Sequence, residues 1–275
     1  MATHTTATAS TAPVTLVTGG TFGLGLSISL ELARRGHQVI TVGLQEPQVS
    51  STAKGFEAIH TAAQQAGVSD RIEVMPADVS RADDVQRVVT HALQRHGRIT
   101  GLVNNAAIGP LGTILTTEPE TFLRILEVNV QGVYLMCRTV VPAMQQQGGG
   151  SIVNIGSGAG YGKPNMAAYA ASKGALLALS SAMAYDHFHD HIRVNVAIPG
   201  GGGIVSGMSV GRFGGDVQAF TQRQVVGSVA GRPIHGTDLA HTVAFLLSDD
   251  ASTISGTVID VGCFHHQGGP APLTP

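Results

Sequence analysis

The sequence predicts an α/β protein with a doubly wound parallel sheet of about seven strands, helices on both faces and a single domain. Two observations predict this class. Short runs rich in β-branched residues alternate with longer segments of helical periodicity, which is the pattern of successive βαβ units. A glycine-rich turn, residues 18–25, also joins the first strand to the first helix, where doubly wound sheets bind their ligands.

The predicted strands are short and apolar, and the predicted helices lie between them. The strands are Val14–Thr18, Val39–Val42, Ile72–Met75, Gly101–Asn104, Ser151–Ile155, Arg193–Ala197 and Thr257–Val261. The helices are Leu24–Arg35, Ser51–Gln65, Ala82–His96, Thr121–Gln146, Ala167–His187 and Thr237–Leu247. Because crossovers between parallel strands are right-handed, this alternation gives a Rossmann-type sheet.

The predicted domain covers residues 14–264. A Thr/Ala-rich stretch at 1–13 is expected to be a disordered tail, and residues 265–275 are expected to form a C-terminal tail. Within the domain, Pro199–Val229 is rich in glycine and weakly patterned. A loop of that length inside a compact domain is usually functional or mobile.

The composition argues against several classes of function. The 275 residues are 43% hydrophobic and 12% charged, with a net charge of −2. This chain offers no basic footprint for nucleic acid or an anionic membrane, and no run of about 18 apolar residues that would span a bilayer. Its two cysteines, Cys137 and Cys263, are expected to be reduced, and no secretory signal pattern is present. We therefore expect a cytoplasmic protein.

The turn at residues 18–25 reads TGGTFGLG. Glycines let the backbone turn sharply and approach a pyrophosphate, and the helix that follows offers free N–H groups to phosphates. Taken alone, the motif has an alternative interpretation as a tight packing turn without a ligand. Its position between a strand and a helix favours a dinucleotide site.

This turn resembles the TGxxxGxG fingerprint of the short-chain dehydrogenase/reductase family, and further motifs of that family follow in the same order. They are Asp78-Val79, the NNAA run at 104–107, Asn129, Ser157, the YAASK run at 169–173 and Pro199-Gly200. The resemblance extends over residues 14–261. It implies a nicotinamide cofactor and oxidoreductase activity.

The resemblance also implies which residues contact the dinucleotide, with Asp78 at the adenine. They are Gly19, Thr21, Phe22, Gly23, Leu24, Gly25, Asp78, Val79, Asn105, Ala106, Tyr169, Lys173, Pro199, Gly200 and Ser206.

The choice between NAD and NADP depends on the end of the second strand. NAD-dependent relatives usually carry an Asp there, whereas this chain carries Gly43, which permits a 2′-phosphate. The basic residues typical of NADP-dependent relatives are absent too, because Phe22 and Leu44 occupy their positions. Polar residues that can hold a phosphate instead are Ser50, Ser51 and Lys54. We favour NADP(H) over NAD(H); the alternative is an NAD enzyme that binds the ribose through backbone groups and Gln45.

Tyr169 and Lys173 lie four residues apart in a predicted helix and therefore share one face. A phenol has a pKa of about 10, and a close ammonium lowers it by roughly 1–3 units, which suits proton transfer. Ser157 follows a strand, at the sheet edge where its hydroxyl can bond to a substrate oxygen. The resemblance implies the same catalytic set, Ser157, Tyr169, Lys173 and Asn129, with Asn129 holding a water beside Lys173. For Asn129 the alternative is a bond to nearby backbone.

The sequence departs from the family pattern at two places. The interval from Ser157 to Tyr169 is one residue shorter than usual, which indicates a shorter loop around Gly160–Pro164. After Pro199-Gly200 the chain continues with Gly201–Gly203; if two of these glycines are inserted relative to the family pattern, Ser206 takes the position of a Thr that contacts the nicotinamide in relatives. This segment is interpreted either as a lid over cofactor and substrate or as an irregular turn. Apolar residues that line the pocket or belong to the core are Met208, Phe213, Phe220 and Val225.

The histidine-rich segment Asp186–His191 raises the question of a metal site. His187 and His191 can share a helical face, but histidines that cap the end of a helix are the favoured interpretation, and no metal is predicted. The pair His265-His266 is interpreted in the same way.

The function predicted from these features is a ketone reductase or alcohol dehydrogenase that acts on a neutral, moderately apolar ketone or secondary alcohol. A catalytically silent nicotinamide-binding regulator or scaffold is the first alternative. An epimerase or dehydratase is the second, although 275 residues leave little room for the larger C-terminal domain of such chains. The long apolar helices suggest a homotetramer, with a dimer as the second choice.

Overall fold

Seven parallel strands form one sheet in the order β3-β2-β1-β4-β5-β6-β7. The protein is represented by a computed structural model that describes residues 12–44, 56–200, 204–211, 214–222 and 228–262. The strands are β1 Val14–Thr18, β2 Gln38–Gly43, β3 Ile72–Pro76, β4 Gly101–Asn104, β5 Gly150–Ile155, β6 Ile192–Ile198 and β7 Val258–Asp260. The predicted doubly wound sheet is confirmed, and every predicted strand is found within two residues of its bounds.

The described helices alternate with the strands as expected. They are α1 Gly23–Arg34, α2 Glu57–Gln65, α3 Ala82–His96, α4 Pro119–Leu126, α5 Gly132–Gln146, α6 Ala167–Asp186, α7 Gly207–Gly211, α8 Val217–Gln222 and α9 Gly236–Leu247. The predicted start of the second helix at Ser51 lies outside the described residues. No helix in the described ranges is long and apolar enough to cross a membrane.

The helix predicted as continuous over Thr121–Gln146 is different in the structure. It begins at Pro119, because proline at the first helical position needs no N–H partner. A π-helical turn, Glu127–Gln131, then separates α4 from α5. Such turns insert one extra residue into a helix and frequently mark functional sites. Asn129 lies in this turn and is buried.

Two other sequence expectations are corrected. The segment Pro199–Val229 holds two short helices, α7 and α8, because their buried residues Val210 and Phe220 anchor them against the domain. At the other end, Pro13 was assigned to the tail, but its carbonyl accepts a hydrogen bond from the backbone N–H of Gln38 at 2.8 Å. The chain is therefore hydrogen-bonded to the sheet one residue before β1 begins.

Two apolar clusters cover the two faces of the sheet. One joins α3, α5 and α6 to the strands, and the other joins α1 and α9. Residues at the centre of both clusters are fully buried, for example Leu102 under the first and Val103 under the second. Because successive residues of β4 point to opposite faces, the sheet is apolar on both sides, as a parallel sheet requires.

The strand order reverses at β1, which pairs with β2 on one side and with β4 on the other. Open α/β sheets bind ligands in the crevice beyond the carboxyl ends of the strands at such a reversal. The residues at those ends are Thr18 and Asn104, which are in register with each other. The glycine-rich turn and the NNAA run therefore meet at one edge of the sheet.

Candidate active site

The glycine-rich turn leaves the start of α1 open to a ligand. Gly19 and Gly23 have φ values of 61° and 57°, a region that favours glycine. A Cβ atom on Gly25 would overlap the carbonyl oxygen of Gly19, so the helix packs directly on the turn. No side chain caps the first turn of α1 at Phe22, and the turn contains no acidic residue. Its free N–H groups fit a pyrophosphate.

The end of β4 holds this turn in place. Asn105 donates from its amide to the carbonyl oxygens of Thr18 and Gly19, at 3.0 and 2.9 Å. The hydroxyl of Thr18 accepts from the backbone N–H groups of Asn105 and Ala106. A Cβ atom on Gly19 would lie 2.9 Å from Cα of Ala106, so the two segments are in close contact. The amide group of Asn105 is thus used to shape the turn.

Gly43 ends β2 beside Thr21. A Cβ atom on Gly43 would lie 2.8 Å from the hydroxyl oxygen of Thr21, so no side chain fits there unless Thr21 moves. Leu44, at the next position, is exposed. The described residues do not include Ser50, Ser51 and Lys54, for which a phosphate contact is predicted, or Gln45, which would bind the ribose in the alternative NAD enzyme.

Asp78 follows β3 and is held by two neighbours. Burial acts to raise the pKa of its carboxyl, but hydrogen bonds from Ser80 and Arg124 outweigh it, and the pKa falls below its ordinary value. One carboxylate oxygen accepts from both the backbone and the hydroxyl of Ser80. The other accepts from Arg124 of α4 at 3.0 Å. The adjacent Val79 packs against Gly132.

Tyr169 and Lys173 are both buried on α6, 7% and 3% exposed. The nitrogen of Lys173 donates to the carbonyl oxygen of Ile155 at 2.7 Å and lies 5.8 Å from the centroid of the Tyr169 ring. Burial lowers the pKa of Lys173 to about 8. The structure therefore brings a cation with a reduced pKa next to the phenol, as the spacing of the two residues predicts.

Ser157 lies just beyond the end of β5, on the same sheet edge. Its backbone is extended, and its hydroxyl accepts from the N–H of Ala159 at 3.1 Å, which starts a short 3₁₀ turn, Gly158–Tyr161. This turn packs on α6, because a Cβ atom on Gly160 would lie 3.0 Å from the carbonyl carbon of Lys173. The shortened loop thus rests directly on the helix that carries Tyr169.

The side chain of Asn129 pairs with the backbone of Ile108 in both directions. It accepts from the Ile108 N–H at 2.9 Å and donates to the Ile108 carbonyl at 2.8 Å. Its second amide hydrogen goes to the hydroxyl of Ser172, which in turn donates to the carbonyl of Tyr169. The side chain thus bonds backbone distant in sequence, and the water assigned to Asn129 stays a prediction.

The segment after β6 contributes Pro199, Gly200 and Ser206. A Cβ atom on Gly200 would overlap the side chain of Ile234, so this turn is tightly packed. The hydroxyl of Ser206 is paired with that of Ser209 at 2.9 Å and caps the start of α7. Gly201–Gly203 lie outside the described residues.

The remaining residues singled out in the sequence are the apolar pocket candidates and the histidines and cysteine considered above. Met208 is half-buried on α7, and Phe220 is buried on α8, whereas Phe213 and Val225 lie outside the described residues. His187 ends α6 and pairs with Asp190 at 2.8 Å. Within the described part of the chain, no three His, Cys, Asp or Glu side chains lie together as metal ligands. Cys263, His265 and His266 are outside it.

Three residues near the site were not singled out from the sequence: Ser172, Arg124 and Gly109. Ser172 belongs to the YAASK run and directly precedes Lys173, and this position was the signal that its hydroxyl has a buried hydrogen-bond partner. Arg124 and Gly109 had no such signal. Their contacts with Asp78 and Tyr169 join positions far apart in the chain.

Comparison with known proteins gives a consistent picture. A family model described as short chain dehydrogenase matches residues 13–210. The 2-(S)-hydroxypropyl-CoM dehydrogenase 3 of Xanthobacter autotrophicus is 35% identical over 252 residues, which cover 90% of this chain and 94% of that protein. The crystal structure of levodione reductase is similar with a TM-score of 0.82 and 30% identity, covering 94% of this chain and 98% of that one.

Two further similar structures contain nicotinamide dinucleotides. An actinorhodin polyketide ketoreductase variant with NADPH has a TM-score of 0.79 and 26% identity, and covers 93% of this chain and 97% of that one. The 3-ketoacyl-(acyl-carrier-protein) reductase of Brucella melitensis with NADH has a TM-score of 0.74 and 30% identity, and covers 92% and 98%. Both forms of the cofactor therefore occur among the similar structures.

Proposed function

The chain belongs to the short-chain dehydrogenase/reductase family, and from this premise we propose that it interconverts a ketone and a secondary alcohol with Tyr169 as the acid–base residue. The observation that carries the proposal is the pairing of buried Tyr169 with buried Lys173 beside the carboxyl end of β5. Among the described residues no carboxylate pairs with Lys173, and a buried ammonium without such a partner is an unfavourable feature in a protein core. Its use in tuning a neighbouring phenol explains its presence there.

The residues at the sheet edge fit a dinucleotide. The uncapped start of α1 offers free N–H groups to phosphates, and Gly19 and Gly25 allow the turn, the helix and the end of β4 to pack closely beside it. Of the residues expected to contact the cofactor, those in the glycine-rich turn and in the NNAA run form one continuous edge. When bound, the cofactor supplies or accepts the hydride at the substrate carbon.

Each of the four catalytic candidates then has a defined task. In the reducing direction Tyr169 donates a proton to the carbonyl oxygen of the substrate, and in oxidation it takes that proton back. Ser157 donates a hydrogen bond to the same oxygen as negative charge develops on it. Lys173, held by Ile155, stabilises the phenolate that remains after proton donation. Asn129 fixes the backbone at Ile108 across from α6.

NADP(H) is the cofactor that we favour over NAD(H). Gly43 provides no carboxylate to repel a 2′-phosphate, and no acidic side chain fits at position 43 while Thr21 keeps its present position. Parallel titrations with NADPH and NADH, followed by nicotinamide fluorescence, test this preference. Tighter binding of NADH by about tenfold, which is roughly 1.4 kcal/mol, would reverse it.

The proposed chemistry is tested with Tyr169→Phe. This variant is expected to reduce turnover of ketones by about 100–10,000-fold, the usual contribution of a general acid, while leaving the dinucleotide Kd nearly unchanged. Tyr185→Phe, an exposed tyrosine on the same helix, is the matched control and should keep full activity. A fully active Tyr169→Phe would reject the mechanism. A wild-type protein that binds the dinucleotide but turns over no ketone would favour the catalytically silent regulator.

We also propose that the protein forms a homotetramer, with a dimer as the second choice. Its proposed location is the cytoplasm. The described surface exposes large apolar side chains on three neighbouring helices: Phe122 and Leu123 on α4, Tyr134 on α5 and Tyr185 on α6. Such side chains favour association between subunits. Light scattering of the eluted protein measures the subunit number, and cell fractionation tests the location.

A further inference from the structure

Gly109 lies in the loop between β4 and α4, at a point where two side chains converge. A Cβ atom built on Gly109 would lie 2.8 Å from Cδ2 of Tyr169 and 3.0 Å from the sulfur of Met208. The ring edge and the thioether therefore approach the same point from two sides. Contacts between sulfur and aromatic rings, with the sulfur about 5 Å from the ring and often at its edge, are favourable. A glycine at this position leaves the space that both groups need.

Met208 is carried by α7, which is anchored at its start. The N–H of Ser206 donates to the hydroxyl of Ser209 at 2.8 Å, and the N–H of Ser209 donates to the hydroxyl of Ser206 at 3.1 Å. Val210, on the same short helix, is buried. Ser206 also touches the glycine-rich turn, because a Cβ atom on Gly23 would lie 3.0 Å from its Cβ. The helix thus reaches from the start of α1 to the ring of Tyr169.

The position of Met208 differs from that of a core residue. Its side chain keeps part of its surface exposed, whereas Val210 two residues later is only 1% exposed. The Cδ2–Cε2 edge of the Tyr169 ring, which Met208 approaches through Gly109, runs toward the phenol oxygen. A substrate whose carbonyl meets that oxygen brings its substituents next to this edge. Methionine is flexible and polarizable, so its side chain can adapt to different substituents.

We propose that Met208 is a specificity-determining residue that forms one wall of the substrate pocket beside Tyr169 and limits the bulk of the group next to the carbonyl. The inference rests on the proposed function, in which Tyr169 meets the substrate oxygen. The ligand class is a ketone, and Met208 sets the size of the substituent that lies beside the Tyr169 ring edge.

The first experiment measures the ratio of kcat/KM for acetophenone to that for butanone. Met208→Ala is expected to raise this ratio about tenfold and Met208→Phe to lower it by a similar factor, because groups of methylene size shift discrimination by roughly 10–200-fold. Met183→Ala is the control, since it shortens a half-buried methionine on α6 that packs against the apolar core. It should leave the ratio unchanged. A ratio that is the same in wild type and in both Met208 variants overturns the proposal.

A double substitution tests the contact with Gly109 directly. Gly109→Ala places a methyl group where Tyr169 and Met208 converge, so it should lower kcat in the wild-type background. In the Met208→Ala background one of the two obstacles is gone, and the loss should be at least threefold smaller. Equal losses in the two backgrounds would show that the residues act independently, which contradicts a shared wall.

A binding readout separates failure of this inference from failure of the proposed function. In protein labelled with [methyl-¹³C]methionine, the Met208 signal is identified by its loss in Met208→Leu. Titration with butanone in the presence of NADP⁺ should shift the Met208 signal and leave the Met183 signal in place. A Met208 signal that does not move overturns the pocket assignment, even if turnover is present. A shift without any turnover supports the assignment and rejects the enzymatic function.

Discussion

The nitrogen of Lys173 lies 2.7 Å from the carbonyl oxygen of Ile155, the last residue of β5. This bond joins the helix that carries Tyr169 to the strand that leads to Ser157. The ammonium therefore has a fixed position relative to both groups, and rotation of its long side chain is restricted. Because Lys173 is buried, its charge is also sensitive to pH in a way that can be measured.

We expect Lys173 to make the stability of the protein increase between pH 8 and pH 10. Burial lowers its pKa to about 8 from an ordinary value of 10.5, so in this window the unfolded chain binds a proton that the folded chain has released. Stability rises with pH wherever the unfolded state binds more protons, here by up to roughly 3 kcal/mol. Urea unfolding at pH 8 and pH 10 should show the rise in the wild type. The rise should be much smaller in Lys173→Met, and equal rises in both would contradict the assignment.

Ser172→Ala should lower kcat by about fivefold, which corresponds to the loss of roughly 1 kcal/mol from one buried hydrogen bond. The substitution removes a partner of the Asn129 amide and of the Tyr169 carbonyl, so the π-helical turn and α6 lose a link. Because Ser172 acts through these neighbours, KM and the dinucleotide Kd should change little. Ser181→Ala, an exposed serine on the same helix, is the control. A parallel increase in KM would indicate a general distortion instead.

Arg124→Gln should weaken dinucleotide binding by about threefold to tenfold. Without the guanidinium, Asp78 loses one of the hydrogen bonds that fix its carboxylate, at the position expected to meet the adenine. The specific readout is the ratio of Kd values for NADPH and its hypoxanthine analogue. The analogue lacks the adenine amino group, which would donate a hydrogen bond to the Asp78 carboxylate. This ratio should fall toward one in Arg124→Gln. Arg138→Gln, an exposed arginine on α5, should preserve it.

His37 should make the protein less stable in acid. The residue is 8% exposed, and burial, together with the charge of Arg35, lowers the pKa of its imidazole to about 4 from 6.5. Between these values the unfolded chain binds a proton that the folded chain excludes, so stability falls as the pH drops from 6.5 to 4. His37→Asn should reduce this fall by about 1–2 kcal/mol in urea unfolding at pH 7 and pH 4.5. An unchanged pH dependence would show that the ring is protonated in the folded state.

The fold was predictable because its signals are local. Each strand contains β-branched residues, most densely in the buried Val14–Thr18, and Gly97 ends α3 with a φ of 73°. The catalytic candidates were also predictable, since Tyr169 and Lys173 are separated by one helical turn. The π-helical turn at Glu127–Gln131 was not, because local periodicity does not distinguish it from the α-helix on either side.

Other parts of the site depend on contacts between distant residues. Asn129 pairs with backbone 21 positions earlier in the chain, at Ile108, and no local pattern encodes that bond. The helices α7 and α8 are too short to show a clear apolar period, and are stabilised by capping and by single buried residues such as Val210. The role of Gly109 follows from the side chains that converge on it and not from its neighbours in sequence.

The contact between Gly43 and Thr21 has a consequence for protein engineering. Installing an acidic residue at position 43, in order to select a free ribose hydroxyl, would push its Cβ atom into the Thr21 hydroxyl. The two positions are therefore coupled: the exchange requires that the Thr21 side chain rotate away or be replaced by a smaller one. A search that varies one site at a time would miss this combination, whereas a paired library at positions 21 and 43 would contain it.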